Sequence, residues 1–123
     1  MTNLFIVDDH PYLINGIVAV FEKQDYKINV VGLATSGIDA LEQLKTLVTD
    51  LVLLDIIMPE MDGIVCCRQI KELYPEIKVI AFTGELNPNV LLNIWLQEVD
   101  GILLKTCGIE SATEILSIVE RSK

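Results

Sequence analysis

Leu4-Phe5-Ile6-Val7-Asp8-Asp9 and Leu51-Val52-Leu53-Leu54-Asp55 are two short apolar runs that each end in aspartate. Continuous apolar runs of this length are typical of parallel strands that are covered by helices on both faces. Carboxylates that cluster at strand tips repel one another, which is unfavourable unless a cation lies between them. The two runs therefore predict buried parallel strands and, between their tips, a site for a hard divalent cation.

Length, composition and charge exclude several classes of protein. A chain of 123 residues is expected to form one domain, residues 1–123, that needs no disulfide or structural zinc. Its net charge of −9 repels phosphate backbones, so direct binding of nucleic acid is not expected. The three cysteines lack zinc-ligand spacing, and no apolar stretch reaches the roughly 20 residues of a membrane span. We expect a cytoplasmic domain that does not associate with membranes.

Apolar runs alternate with amphipathic patterns along the whole chain. The runs predict strands at Asn3–Val7, Ile28–Leu33, Leu51–Leu54, Val79–Phe82 and Ile102–Leu104. The patterns between them predict helices at Pro11–Lys23, Gly37–Leu47, Gly63–Leu73, Pro88–Val99 and Ile109–Arg121. Ser36, Asp62 and Asn87 suit N-cap positions, and Pro11 and Pro88 suit first helical positions. Five βα units predict one doubly wound α/β domain with right-handed crossovers.

Polar residues with complementary chemistry follow four of the five strands. One βα unit takes roughly 22–28 residues. About two such units separate Asp9 from Asp55, and about one separates each successive pair among Asp55, Thr83 and Lys105. In open α/β sheets, functional groups gather outside the carboxyl ends of the strands. Asp8, Asp9, Asp55, Thr83 and Lys105 are therefore expected at one edge of the sheet.

Phosphoryl transfer is the chemistry that suits this set. Mg²⁺ prefers oxygen ligands, and Asp9 and Asp55 can supply them, with Asp8 acting through water. Asp55 is also a candidate nucleophile, since carboxylates form aspartyl-phosphates. The transferring group carries its charge on three oxygens, which the metal, the Lys105 ammonium and the Thr83 hydroxyl with the Gly84 amide can neutralise.

The motifs that carry these residues are Val7-Asp8-Asp9-His10-Pro11, Asp55-Ile56-Ile57-Met58-Pro59-Glu60-Met61-Asp62-Gly63, Thr83-Gly84 and Leu104-Lys105. Together they resemble the receiver domains of bacterial two-component response regulators, and the resemblance covers the entire chain. The opening motif and the Leu-Leu-Lys-Thr ending are most similar to the NarL/LuxR-type branch.

That resemblance implies a flavodoxin-like (βα)5 fold whose five-stranded parallel sheet has the order 2-1-3-4-5. It implies that Asp55 accepts phosphate from a sensor histidine kinase, and that the domain catalyses only its own phosphorylation and dephosphorylation. The Mg²⁺ site would comprise Asp8, Asp9, Asp55 and the Ile57 carbonyl. Thr83 and Lys105 would contact the phosphate and report it to an output surface. The resemblance further implies a longer parent protein with a C-terminal helix-turn-helix domain for transcription regulation.

Several residues depart from the family pattern or have an ordinary structural interpretation. Ile102 stands where many receivers carry Tyr or Phe, which argues against coupling through an aromatic rotamer switch there. Thr106 replaces a common proline, so a trans peptide bond is expected after Lys105. Cys66 and Cys67 are interpreted as small core residues.

Three other functions can be weighed against the signalling receiver. A haloacid-dehalogenase-like phosphatase also uses a strand-end aspartate with Mg²⁺, but it needs a second aspartate where this chain has Ile57. A flavodoxin-like flavin binder needs a Ser/Thr/Gly-rich phosphate loop, and Asp8-Asp9 would repel that phosphate. A phosphorylation-independent interaction module would not need the complete polar set. The signalling receiver is therefore the preferred interpretation.

The helix predicted at Pro88–Val99 has more apolar surface than one buried stripe requires. Its apolar residues cover an arc of about 240°, whereas a core-facing helix needs a little over 100°. They are Val90, Leu91, Leu92, Ile94, Trp95, Leu96 and Val99. Part of the helix is therefore expected to form an exposed patch on which an effector domain or a second receiver docks upon phosphorylation. For Trp95 itself, exposure and burial under the chain's own loops are equally expected.

Overall fold

A computed structural model describes residues 2–8, 15, 19, 28–56, 63–83, 87–97 and 99–104 of the chain. The strands are β1 (Thr2–Val7), β2 (Ile28–Ala34), β3 (Leu51–Asp55), β4 (Lys78–Thr83) and β5 (Gly101–Leu104). The helices of that part of the chain are α1 (Gly37–Leu44), α2 (Gly63–Leu73) and α3 (Pro88–Trp95). Asn15 and Ala19 are also helical, which agrees with the first predicted helix. The predicted helix at Ile109–Arg121 lies outside the described residues.

The strands form one parallel sheet in the order β2-β1-β3-β4-β5, which confirms the predicted order. The central run Leu4–Val7 is fully buried, as is Val52–Leu54. Burial on both faces explains why these runs are continuously apolar and do not alternate. The sheet is therefore the middle layer of the domain, and its carboxyl edge carries Asp8, Asp55 and Thr83.

Two predicted helix starts are confirmed by their caps. The Ser36 hydroxyl oxygen accepts a hydrogen bond from the Asp39 amide at 3.2 Å. The Asn87 carboxamide oxygen accepts one from the Asn89 amide at 2.9 Å, and Pro88 follows as the first helical residue. Both caps satisfy amides that have no partner inside the helix. The predicted cap Asp62 lies outside the described ranges.

Two helices end earlier than predicted. Helix α1 ends at Leu44 and not at Leu47, because the chain turns with the Thr46 amide donating to the Gln43 carbonyl. Helix α3 ends at Trp95, and the prediction that it continues to Val99 is wrong. Val99 is buried two residues before β5 begins, and the turn that ends the helix has the Gln97 amide donating to the Ile94 carbonyl oxygen at 3.0 Å. None of the described helices is long and apolar enough to cross a membrane.

Candidate phosphoacceptor site

Asp8 and Asp55 lie at the carboxyl ends of neighbouring strands. Val7 of β1 is opposite Leu54 of β3, so the two aspartates that follow them stand at the same level of the sheet. Both are only 1% exposed. The Asp8 amide donates to the Ala34 carbonyl oxygen at 3.0 Å, which fixes the backbone at the end of β1. The sheet register therefore brings these two predicted site residues together.

Thr83 ends the next strand at nearly the same level. Asp55 pairs with Phe82 of β4, so Thr83 lies one residue beyond the phosphoacceptor candidate. Thr83 in turn pairs with Leu104, the last residue of β5, and is completely buried. The residue that follows Leu104 in the chain is Lys105. The neighbouring strands β1, β3 and β4 therefore end in Asp8, Asp55 and Thr83, in the order that the sequence predicted.

Other predicted site residues lie outside the part of the chain that the structure describes. These are Asp9, Ile57, Gly84 and Lys105. His10 and Thr106 lie outside it too. Of the two residues proposed for output besides Thr83, Ile102 is half-buried against the core and Trp95 is 53% exposed.

Two buried carboxylates on adjacent strands provide the kind of ligands that Mg²⁺ takes. Mg²⁺ is bound through one or two carboxylates and keeps several waters. Across the described ranges no group of three or more His, Cys, Asp or Glu side chains comes together, and Asp9 lies outside them. The Asp8 and Asp55 pair therefore fits a magnesium ion by its chemistry and its burial.

Gly63 was not assigned a site role from the sequence, yet it lies against Ile56, the residue that follows Asp55. Its amide donates to the Ile56 carbonyl oxygen at 2.9 Å, one residue beyond Asp55. A Cβ at Gly63 would lie 2.6 Å from the Ile56 carbonyl carbon, and closer still to the Ile56 Cα and carbonyl oxygen. Only glycine allows α2 to begin against this backbone. The Asp62-Gly63 pair was the available sequence signal.

Cys66 and Cys67 are buried core residues of α2, as predicted. Burial raises the pKa of the Cys66 thiol to about 12 and that of the Cys67 thiol to about 11. Because the thiolate is the reactive form, both thiols are inert near neutral pH.

An apolar patch on α3 remains exposed, which confirms that part of the sequence prediction. Its members are Leu92 and Trp95 of α3 and Leu96, the residue that caps the end of the helix, with exposed fractions of 59%, 53% and 69%. Ile94, between them in sequence, is buried against the sheet. A shallow cleft beside the patch is lined by Arg68, Lys71, Glu72, Leu96 and Gln97. One face of α3 thus holds the helix to the core while another faces solvent.

Comparison with known proteins agrees with this fold and identifies the family. The family model of the response regulator receiver domain matches residues 4–117. The response regulator protein VraR of Staphylococcus saprophyticus is 34% identical over 119 residues, which are 97% of this chain and 55% of that protein. The chain therefore spans about half the length of the curated relatives it matches.

Solved structures of response regulators have the same fold as this chain. One is the structure of RcsB from Salmonella enterica serovar Typhimurium, bound to promoter rprA in the presence of the phosphomimetic BeF3⁻. It matches this chain with a TM-score of 0.87 and 28% sequence identity. The match covers 98% of this chain and 99% of that one. The signal receiver domain of the putative response regulator NarL from Mycobacterium tuberculosis has a TM-score of 0.85 and 28% identity, with 97% and 96% covered.

Proposed function

The chain belongs to the family of response regulator receiver domains of two-component systems, and from that premise we propose that Asp55 is its phosphoacceptor. The observation that carries this proposal is the burial of Asp8 and Asp55 at one level of the sheet edge, with Thr83 on the next strand. A sensor histidine kinase would present the phosphoryl group on a histidine to this domain in the cytoplasm.

The transfer itself is a simple exchange of bonds. An Asp55 carboxylate oxygen attacks phosphorus, the bond between phosphorus and the histidine nitrogen breaks, and that nitrogen takes up a proton. Mg²⁺, when bound, neutralises charge on the phosphoryl oxygens. Asp8, Asp9, Asp55 and the Ile57 carbonyl would hold it. Thr83, the Gly84 amide and Lys105 would donate to the remaining phosphoryl oxygens, so that positioning and charge stabilisation supply most of the catalysis.

The output of the phosphorylated domain would pass through the exposed α3 patch. Leu92, Trp95 and Leu96 offer an apolar surface to a second receiver or to a C-terminal effector domain of a longer parent protein. RcsB, a structural relative, binds a promoter, which favours transcription regulation as the end point. The net charge of −9 favours assigning DNA contact to such an effector domain.

Phosphorylation by a small acyl phosphate with Mg²⁺ tests the assignment of Asp55. The wild-type domain should gain one phosphoryl group by intact-mass spectrometry, and Asp55→Asn should gain none. Glu42→Gln, which removes an exposed carboxylate from α1, is the matched control and should behave like the wild type. Uptake of phosphate by Asp55→Asn would disprove the assignment.

A further inference from the structure

Asp100 closes a ring of hydrogen bonds at the start of β5. Its amide donates to the Val79 carbonyl oxygen at 2.8 Å, and its carboxylate Oδ2 accepts from the Val79 amide at 2.8 Å. The strand begins at the next residue, Gly101, which pairs with Ile80. The Asp100 side chain therefore supplies an acceptor to β4 just before the regular pairing of β5 begins.

Asp50 forms the same ring at the start of β3. Its amide donates to the Asn3 carbonyl oxygen at 2.9 Å, and its carboxylate Oδ2 accepts from the Asn3 amide at 2.8 Å. Leu51, the first residue of β3, then pairs with Leu4. Two strands of one sheet thus begin with an aspartate that is bonded in the same way to the neighbouring strand.

These strands need a polar group to define their register. In a strand with one buried face, a slip of one residue would expose apolar side chains and is therefore disfavoured. Leu51–Leu54 and Ile102–Leu104 are continuously apolar, so a slipped pairing would still place apolar side chains on both faces. Each residue of slip would move the strand end by about 3.3 Å. A side-chain acceptor that matches only one amide removes this ambiguity.

The same spacing separates each ring from a residue of the proposed site. Asp55 follows Asp50 by five positions, and Lys105 follows Asp100 by five. We propose that Asp50 and Asp100 are positioning residues that set the level of Asp55 and Lys105 at the sheet edge. This inference rests on the proposed function of Asp55. It adds two residues that lie at the amino ends of the strands, whereas the proposed site lies at their carboxyl ends.

Asp100 is held more firmly than Asp50. Lys71 of α2 donates to Asp100 Oδ2 at 3.2 Å and to the Ile77 carbonyl oxygen at 3.1 Å. Lys78 lies 3.8 Å from Asp100 Oδ1. These contacts tie the end of α2, the turn before β4 and the start of β5 to one carboxylate.

Alanine and asparagine variants of Asp50 and Asp100 distinguish the effect of the lost hydrogen bond, which sets the register, from the effect of the lost negative charge. Asparagine keeps an oxygen acceptor for the Asn3 or Val79 amide but removes the negative charge, whereas alanine removes both. Asp39→Ala, at an exposed aspartate of α1, is the matched control. Three quantities are measured on each folded variant: Mg²⁺ affinity by NMR titration, the rate of phosphoryl uptake from a small acyl phosphate, and hydrogen exchange of the Asn3 and Val79 amides.

The two alanine variants should differ in which step they impair. Asp50→Ala should weaken Mg²⁺ binding by about tenfold, because β3 would no longer hold Asp55 level with Asp8. Asp100→Ala should leave Mg²⁺ affinity unchanged and slow phosphoryl uptake by about tenfold or more, because Lys105 is misplaced. Exchange of the Asn3 or Val79 amide should accelerate in the corresponding variant only. The asparagine variants should stay close to wild type in all three quantities. They therefore test the proposal even if an alanine variant does not fold.

Wild-type Mg²⁺ affinity and uptake rate in both alanine variants would overturn the proposal. Equal losses in the asparagine and alanine variants would also overturn it, because they would trace the effect to lost charge. If the wild-type domain itself takes no phosphate, the proposed function fails, while Mg²⁺ affinity and amide exchange still decide the register role.

Discussion

The Gly63 amide donates to the Ile56 carbonyl oxygen at 2.9 Å, and this contact joins the start of α2 to the strand that ends in Asp55. A Cβ at position 63 would overlap the Ile56 backbone, which cannot move aside as a flexible side chain can. We expect Gly63→Ala to lower the free energy of unfolding by about 1–3 kcal/mol through overpacking. Urea denaturation measures this. Glu72→Ala, at an exposed position of the same helix, should change stability by less than about 0.5 kcal/mol. Equal effects of both variants would contradict the packing argument.

Mg²⁺ should stabilise the domain through the carboxylates at the sheet edge. At a concentration of 100 times its Kd, a ligand that binds only the folded state adds about 2.7 kcal/mol. Mg²⁺ should therefore raise the melting temperature of the wild type, and a chelator should reverse the change. Asp8→Asn and Asp55→Asn should lose most of this response, while Glu42→Gln keeps it. A full response in both asparagine variants would place the metal elsewhere.

The two buried thiols should make the domain less stable at alkaline pH. Their pKa values of about 12 and 11 in the folded state exceed the ordinary value of 9.0. The unfolded state therefore loses its thiol protons first as the pH rises, and each thiol can cost up to about 1.4 kcal/mol per pH unit above pH 9. Stability from this source is complete below pH 9 and is lost as the pH rises towards 11 and 12.

A double variant isolates this effect from other groups that titrate in the same range. Cys66→Ala with Cys67→Ala is less stable at neutral pH because it leaves cavities, but its free energy of unfolding should fall less steeply between pH 9 and 11. Urea denaturation at several pH values gives both slopes. Parallel slopes in the wild type and the double variant would rule out the thiols as the cause.

The α3 patch should mediate self-association of the activated domain. Beryllofluoride should promote association of the wild type in sedimentation experiments, and Leu96→Glu should weaken it because a charge cannot be buried cheaply in an apolar contact. Val48→Glu places the same charge on another exposed apolar residue, 77% accessible, and should have no effect. Phosphoryl uptake should be equal in both variants. Emission from Trp95 should shift to shorter wavelength on association, and an unchanged spectrum together with unchanged sedimentation would exclude this surface.

The sequence alone determined the class of fold and predicted the chemistry at the carboxyl ends of the strands. The continuous apolar runs Leu4–Val7 and Leu51–Leu54 predict buried strands, because parallel strands that are covered on both faces are apolar at every position. The aspartates that follow predict a cation site, because clustered carboxylates repel one another unless a cation lies between them. Ser36 and Asn87 were recognisable as caps because capping is a local interaction of neighbouring residues.

Only the tertiary structure decided which residues meet across the chain. The level of Asp8 with Asp55 depends on the register of β1 and β3, and Gly63 contacts the backbone of Ile56, seven positions earlier in the chain. Helix α3 ends at Trp95 and Val99 is buried two residues before β5, although the apolar pattern continues as far as Val99. Asp50 and Asp100 find their amides on neighbouring strands. A sequence shows distance along the chain, whereas these contacts depend on distances between strands, which packing sets.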